Sequence, residues 1–145
     1  MFMCEYNHTV DAKGRLIIPA KFREVLGDEF VVCKGLDHCL YIYSNEDWEA
    51  FSAQLAALPL TNKEARQFVR FFLSGASQVE VDKQGRILVP PTLRTFAELD
   101  KDVVLAGAGH RIEIWNKARW DGECIDDDMD EIAATMDKLG ITLTQ

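Results

Sequence analysis

The stretch VDAKGRLIIP, Val10 to Pro19, occurs a second time as VDKQGRILVP, Val81 to Pro90. Five of the ten positions are identical and three more exchange one branched apolar residue for another. Each copy holds an Asp-x-x-Gly-Arg turn. Asp11, two residues and Gly14 suit a type I turn closed by a glycine in the left-handed region, with the Asp side chain accepting a backbone N–H. Asp82 and Gly85 repeat the pattern, so these four residues are read as turn-shaping. Short strands, Tyr6 to Val10 and Gln78 to Val81, lead into the turns, and LIIP and ILVP leave them as the return strands of hairpins. Pro19 and Pro90 stop those strands for want of an N–H, and their fixed φ suits the opening of a helix.

The duplication runs well beyond the decapeptide. Arg23 matches Arg94 at an offset of 71; after one added residue the offset is 72, and Val31 matches Val103, Gly35 matches Gly107, His38 matches His110, Ile42 matches Ile114 and Trp48 matches Trp120. In AKFREVLG, Phe22, Val25 and Leu26 form an apolar face and Gly27 stands as a C-cap. DEFVVCKGLDHCLYIY and DVVLAGAGHRIEIW each read as strand, glycine turn, strand. One unit is therefore hairpin, short helix, hairpin. Units of about 40 residues seldom fold without help, and two in one chain supply each other's missing face.

The fold expected is α+β, with residues 5–48 and 77–120 as the duplicated units of a two-lobed domain with pseudo-twofold symmetry. Residues 49–76 connect them as two helices, NEDWEAFSAQLAAL after Ser44, then a capping-box start at Thr61 and Glu64 leading into ARQFVRFFL and ending at Gly75. Phe68, Phe71 and Phe72 are read there as core or subunit-contact residues. Residues 121–145 form an acidic tail with a last helix from roughly Asp128 to Leu139, carrying Ile132, Met136 and Leu139 on one stripe.

The formal net charge of the 145 residues is −8, and its distribution matters more than its sum. Residues 1–120 carry 15 Lys/Arg and 16 Asp/Glu, whereas residues 121–145 carry one Lys and eight acids. The body is balanced and the acidity is terminal. No basic leader precedes an apolar run, and no apolar stretch approaches the roughly 20 residues of a membrane span, so a cytoplasmic location is expected. Cys4, Cys33, Cys39 and Cys124 form no CxxC pair and are read as reduced thiols rather than a disulfide or metal set.

The turns display cations: Lys13 at the tip and Arg15 just past it in the first, Lys83 and Arg86 in the second, with Gln84 where the first has Lys13. A guanidinium takes a phosphate, or the O6/N7 edge of guanine, bidentately, and a two-stranded ribbon fits the major groove. The same residues would also serve a purely structural purpose if Asp11 pairs with Arg15 and Asp82 with Arg86 to stiffen each turn. Catalysis finds no comparable constellation. Asp11 and Asp82 each share their turn with a lysine, which favours ion pairing over a shared proton, and His38 and His110 have no acid or thiol partner that recurs beside both. There is no GxxxxGK loop, and GAGH lacks GxGxxG spacing. No catalytic residue, cofactor, metal or small-molecule substrate is expected.

The turns VDAKGR and VDKQGR, the segments IIPAKFR and LVPPTLR after them, and the block VVLAGAGHRIEIWNKARWD resemble those of the MraZ family, bacterial regulators of the division and cell wall gene cluster. The resemblance covers essentially the whole chain. It implies two SpoVT-AbrB type units in one chain, their strands interleaved into a compact barrel-like lobe, assembled as rings of several subunits. It also implies sequence-specific binding to direct repeats in a promoter, with repression as the default, in a cytoplasmic protein associated with the nucleoid. Lys13, Arg15 and Arg86 match the family's DNA-contacting motif. Val10 departs from it, standing where the family usually has leucine before the first turn aspartate. An oligomeric interaction protein that does not touch DNA is the alternative, and it would tolerate loss of Arg15 and Arg86.

Overall fold

In the computed structural model, which describes residues 1–123 and 128–141, the two copies exchange strands throughout rather than sitting side by side. The first copy supplies β1 (Glu5–Thr9), β2 (Arg15–Ile17), α1 (Ala20–Leu26), β3 (Glu29–Lys34) and β4 (Leu40–Ser44), followed by α2 (Asn45–Ala56) and α3 (Lys63–Ser74). The second supplies β5 (Ser77–Glu80), β6 (Arg86–Leu88), α4 (Pro91–Phe96), β7 (Asp102–Gly107) and β8 (Ile112–Asn116), followed by α5 (Lys117–Glu123) and α6 (Met129–Asp137). The fold is α+β and duplicated.

Six strands make one antiparallel sheet in the order β1-β7-β8-β4-β3-β5, and β2 pairs with β6 as a separate ribbon. Exchanging every strand for its counterpart reverses the sheet order and leaves the ribbon unchanged. That palindrome defines a pseudo-twofold axis. It passes where Tyr41 faces Glu113 between β4 and β8, and where Leu16 faces Ile87 between β2 and β6, each a residue opposite its own counterpart.

The interleaving of strands is the one the family resemblance implies, whereas the residue-level expectation of a local hairpin at each turn is corrected. Strands β1 and β2 meet only at the Val10–Leu16 bridge. Beyond it β1 runs along β7 and β2 along β6. Burial fits the exchange: Leu16, Ile18, Ile87 and Val89 are all nearly fully buried, and the ribbon built from both copies lays all four over the shared sheet. Two further bonds lengthen it, from the Ile18 N–H to the Gly85 carbonyl and from the Val89 N–H to the Gly14 carbonyl, both 2.9 Å.

Side chains alternate across a strand, and here both faces of the sheet are covered. Phe30, Val32, Leu40 and Ile42 and their structural counterparts Val103, Leu105, Ile112 and Ile114 face the ribbon, with Phe22, Leu26 and Leu93 from α1 and α4. The strand pairing makes β7 the equivalent of β3 at an offset of 73, not the 72 read from the sequence, so Val31 corresponds to Val104 and not to Val103. Cys33, Tyr41, Tyr43, Val104, Ala106 and Trp115 face the opposite way, under Leu55 of α2 and Phe72 of α3. The unbroken apolar runs FVVC in β3 and VVLA in β7 follow from this double burial. Burial also raises the Cys33 and Cys39 thiols to about 12, which suits packing and not metal ligation. Cys33, Cys39 and the exposed Cys4 are free, while Cys124 lies outside the described residues.

Three local readings change. Val25 is 55% exposed, so the inward face of α1 is Phe22 and Leu26 alone. Helix α3 is capped by Asn62, whose side chain accepts from the Ala65 N–H at 2.9 Å, and not by Thr61. Asn is the stronger cap, and the one-residue shift moves Glu64 out of the position a capping box needs. Helix α5 runs across residues 120 and 121, with Trp120 packed edge-on against Trp115, although the charge distribution had suggested a boundary there. Of the connector phenylalanines Phe72 is buried, Phe71 half-buried and Phe68 42% exposed. Among the described residues no helix is long and apolar enough to cross a membrane.

Candidate nucleic-acid interface

The two turns are built by the same bonds. In the first, Asp11 Oδ1 accepts from the N–H groups of Lys13 and Arg15, each at 2.9 Å, and Asp11 Oδ2 accepts from Arg15 Nε at 2.7 Å. The Gly14 N–H closes the turn on the Asp11 carbonyl at 2.9 Å, with Gly14 at φ +87°. In the second, Asp82 accepts from the N–H groups of Gln84 and Arg86 and from Arg86 Nε, all at 2.9 Å, and Gly85 closes it at φ +79°. Only glycine adopts such φ values without strain, which is why the fourth position is glycine twice.

Each Asp therefore shapes the backbone and holds the Arg of its own turn. The pairs are exposed and add little to stability by themselves. Their value is orientation. Nε is the edge donor of the guanidinium, so anchoring it leaves the two terminal amino groups directed away from the turn, and none of these has a hydrogen-bond partner among the described residues.

The Arg15 N–H, then the Arg15 side chain and the Lys13 N–H, hold the Asp11 carboxyl at about 2, below its ordinary 3.8. The Asp82 carboxyl is lowered by the equivalent Arg86 and Gln84 groups. A depressed carboxylate contributes fully above its ordinary value and loses that contribution as pH falls through the folded one. The first turn is thus expected to keep its geometry down to a pH of about 2. A side-chain carboxyl NMR titration checks this: an Asp11 midpoint near 4 would contradict the bonding described.

Antiparallel pairing sets Arg15 opposite Leu88 and Ile17 opposite Arg86. The turns therefore stand at opposite ends of the ribbon, and Asp11 and Asp82 do not form a dyad. Because Leu16 and Ile87 point into the core, Arg15, Ile17, Arg86 and Leu88 make up the outer face. The two arginine Cα atoms lie diagonally, about 8 Å apart from strand rise and spacing. Lys13 is exposed at the tip of one turn, and Lys83 is exposed one position earlier in the other, beside Gln84.

Two further arginines, visible in the sequence only as matching repeat positions, pack against these turns. A Cβ on Gly14 would lie 2.6 Å from Arg94 Cζ, and one on Gly85 would lie 3.1 Å from Arg23 Cζ. Each guanidinium thus packs under the turn of the other copy. Arg23 Nε donates to the Ile18 carbonyl at 2.9 Å and Arg94 Nε to the Val89 carbonyl at 3.0 Å. Ile17 and Leu88, 44% and 56% exposed, were also not singled out. The signal available for them was apolar residues at the outward positions of very short strands.

His38 stacks on Phe96 with ring centroids 4.9 Å apart, and His110 Nδ1 lies 3.6 Å from Asp47. No group of three or more His, Cys, Asp or Glu side chains is arranged to hold a metal among the described residues.

A family model described as "MraZ protein, putative antitoxin-like" matches the chain twice, over residues 1–71 and 72–138. Curated relatives extend over nearly the same length. A protein of Halothermothrix orenii is 54% identical over 97% of this chain and all of its own. Another from Lachnoclostridium phytofermentans is 56% identical over 98% of this chain and 99% of its own. A third, from Desulfitobacterium hafniense, is 59% identical over 83% of this chain and 84% of its own. All three carry the name transcriptional regulator MraZ.

Proposed function

The chain belongs to the MraZ family, and on that premise we propose that it is a transcriptional regulator, not an enzyme, that binds duplex promoter DNA through the outer face of the β2–β6 ribbon. One observation carries the reading: two arginines, related by the pseudo-twofold and each held through Nε by its own aspartate, share one exposed face. A two-stranded ribbon fits a major groove about 12 Å wide, and a guanidinium with both terminal nitrogens available suits guanine O6 and N7. Preorganisation by Asp11 and Asp82 reduces the rotamer entropy lost on contact. Ile17 and Leu88 between the arginines fit thymine methyl groups. Lys13, Lys83, Arg23 and Arg94 are suited to the flanking phosphates.

The turns differ at the tip, where the first has Lys13 and the second has Gln84 at the equivalent position. The first turn accordingly makes the stronger groove contact, and Arg15→Ala costs more affinity than Arg86→Ala in a promoter gel shift. Equal losses would contradict that ranking.

Six cations per chain give a salt slope no steeper than about −5, too weak for tight binding by a single copy. A ring of several subunits engaging direct repeats resolves this, since linked binding raises avidity by roughly 100-fold to 10,000-fold. The target is the promoter of the division and cell wall gene cluster, the outcome is repression, and the protein acts in the cytoplasm on the nucleoid. Affinity is expected to fall steeply with salt and to rise with the number of repeats, read by fluorescence anisotropy on DNA carrying one to four repeats. Equal affinity for one repeat and four, in dilute and concentrated salt alike, would overturn the multivalent reading.

A further inference from the structure

The proposal deepens the ring reading above and rests on it. Among the described residues two apolar surfaces remain uncovered, and they are opposite in charge. One is a groove of about 220 Å³ where α2 turns into α3, floored by Leu58, Ala65 and Val69, with Leu60 on its lip and Arg66 and Arg70 along its rim. Leu60 is 81% exposed, an unusual state for a leucine beside an apolar groove. Helix α3 carries three bases, Lys63, Arg66 and Arg70, against a single acid, Glu64.

The other surface is α6. It buries none of its residues, yet Met129, Ile132 and Met136 follow helical spacing, with Leu139 one turn on. Met129, Ile132 and Leu139 are 52%, 46% and 71% exposed. The helix carries Asp130, Glu131 and Asp137 and no base between Met129 and Asp137. An amphipathic helix with an open apolar stripe and acidic flanks is the natural occupant of an apolar groove with a basic rim.

We propose that α6 of one copy docks in the α2–α3 groove of the next. Groove and helix are different surfaces, so the contact is head-to-tail and generates a ring when the rotation closes. Phe72 of α3 packs on the sheet face turned away from the ribbon, so this joint leaves the Arg15–Arg86 face of every subunit open. The acidic segment then has a role in assembly as well as solubility.

The test uses the full chain, with mass read by size exclusion and light scattering. Leu60→Asp damages the lip of the groove and Ile132→Asp the helix; both residues are exposed, and Met129→Asp is a second helix variant. Each variant alone is expected to dissociate at concentrations at least tenfold above those at which the unaltered chain remains assembled. An equimolar mixture of Leu60→Asp and Ile132→Asp is expected to recover a two-chain species, because an intact helix then meets an intact groove. If the unaltered chain is a ring and the variants keep its mass, the docking proposal is overturned while the ring stands. If the unaltered chain is a single chain at all concentrations, both readings fall.

Discussion

Replacing Arg15 and Arg86 together with alanine is expected to abolish sequence-specific DNA binding while leaving the fold unchanged. Each bidentate contact with a base is worth about 1–3 kcal/mol, so removing both from one copy weakens a single site by roughly 30-fold or more. In a multivalent assembly the loss compounds across subunits. Both side chains lie on the surface, and their aspartate pairs are exposed, so the thermal midpoint should barely move. The turns themselves persist, because Asp11 and Asp82 still accept backbone N–H groups. Anisotropy with promoter DNA, paired with thermal unfolding, separates the two effects. Unchanged affinity would favour the interaction protein that does not touch DNA.

The second large effect concerns folding. A fragment ending at residue 76 is expected to have no folded monomer. Every strand of the first copy takes a partner from the second: β1 from β7, β2 from β6, β3 from β5 and β4 from β8. Only the β3–β4 pairing and the single Val10–Leu16 bridge survive the cut. A two-stranded hairpin is marginal in water, and Leu16, Ile18, Phe30 and Ile42 would lose the residues that cover them. Such a fragment can fold only by pairing with a second fragment in place of the missing copy. Circular dichroism across a dilution series, with sedimentation, should find helix and sheet signals that vanish on dilution. A concentration-independent folded monomer would contradict the strand exchange.

Much of this was legible in the sequence because it is local. The Asp-x-x-Gly-Arg spacing specifies its own turn, and the hydrogen bonds at Asp11 and Asp82 are the ones that spacing suggests. The strands, the glycine after α1 and the serine before α2 were readable for the same reason. Pairing partners were not legible in the residue pattern, and the interleaving of the two units entered only through the family resemblance. LIIP would show the same alternation whether Leu16 faced its own hairpin or Ile87 of the other copy, since periodicity reports which side is buried and not what buries it. Arg23 and Arg94 escaped for a related reason: Arg23 lies 62 residues from Gly85 and Arg94 lies 80 from Gly14, the glycines they pack beneath. Ile17 and Leu88 looked like ordinary strand apolars until the ribbon's inward positions were taken by Leu16 and Ile87. The cap at Asn62 instead of Thr61 is a one-residue shift between two competent caps, within the usual scatter of helix ends.

Groove contact by the ribbon is tested most directly by methylation protection of guanine N7 on promoter DNA carrying the direct repeats. Guanine N7 lies in the major groove, where Arg15 and Arg86 are proposed to act. The unaltered chain is expected to protect guanines at regular spacing within each repeat, and Arg15→Ala with Arg86→Ala to remove that protection at protein concentrations where phosphate contacts still hold the DNA. Protection that persists without the two arginines would contradict the interface.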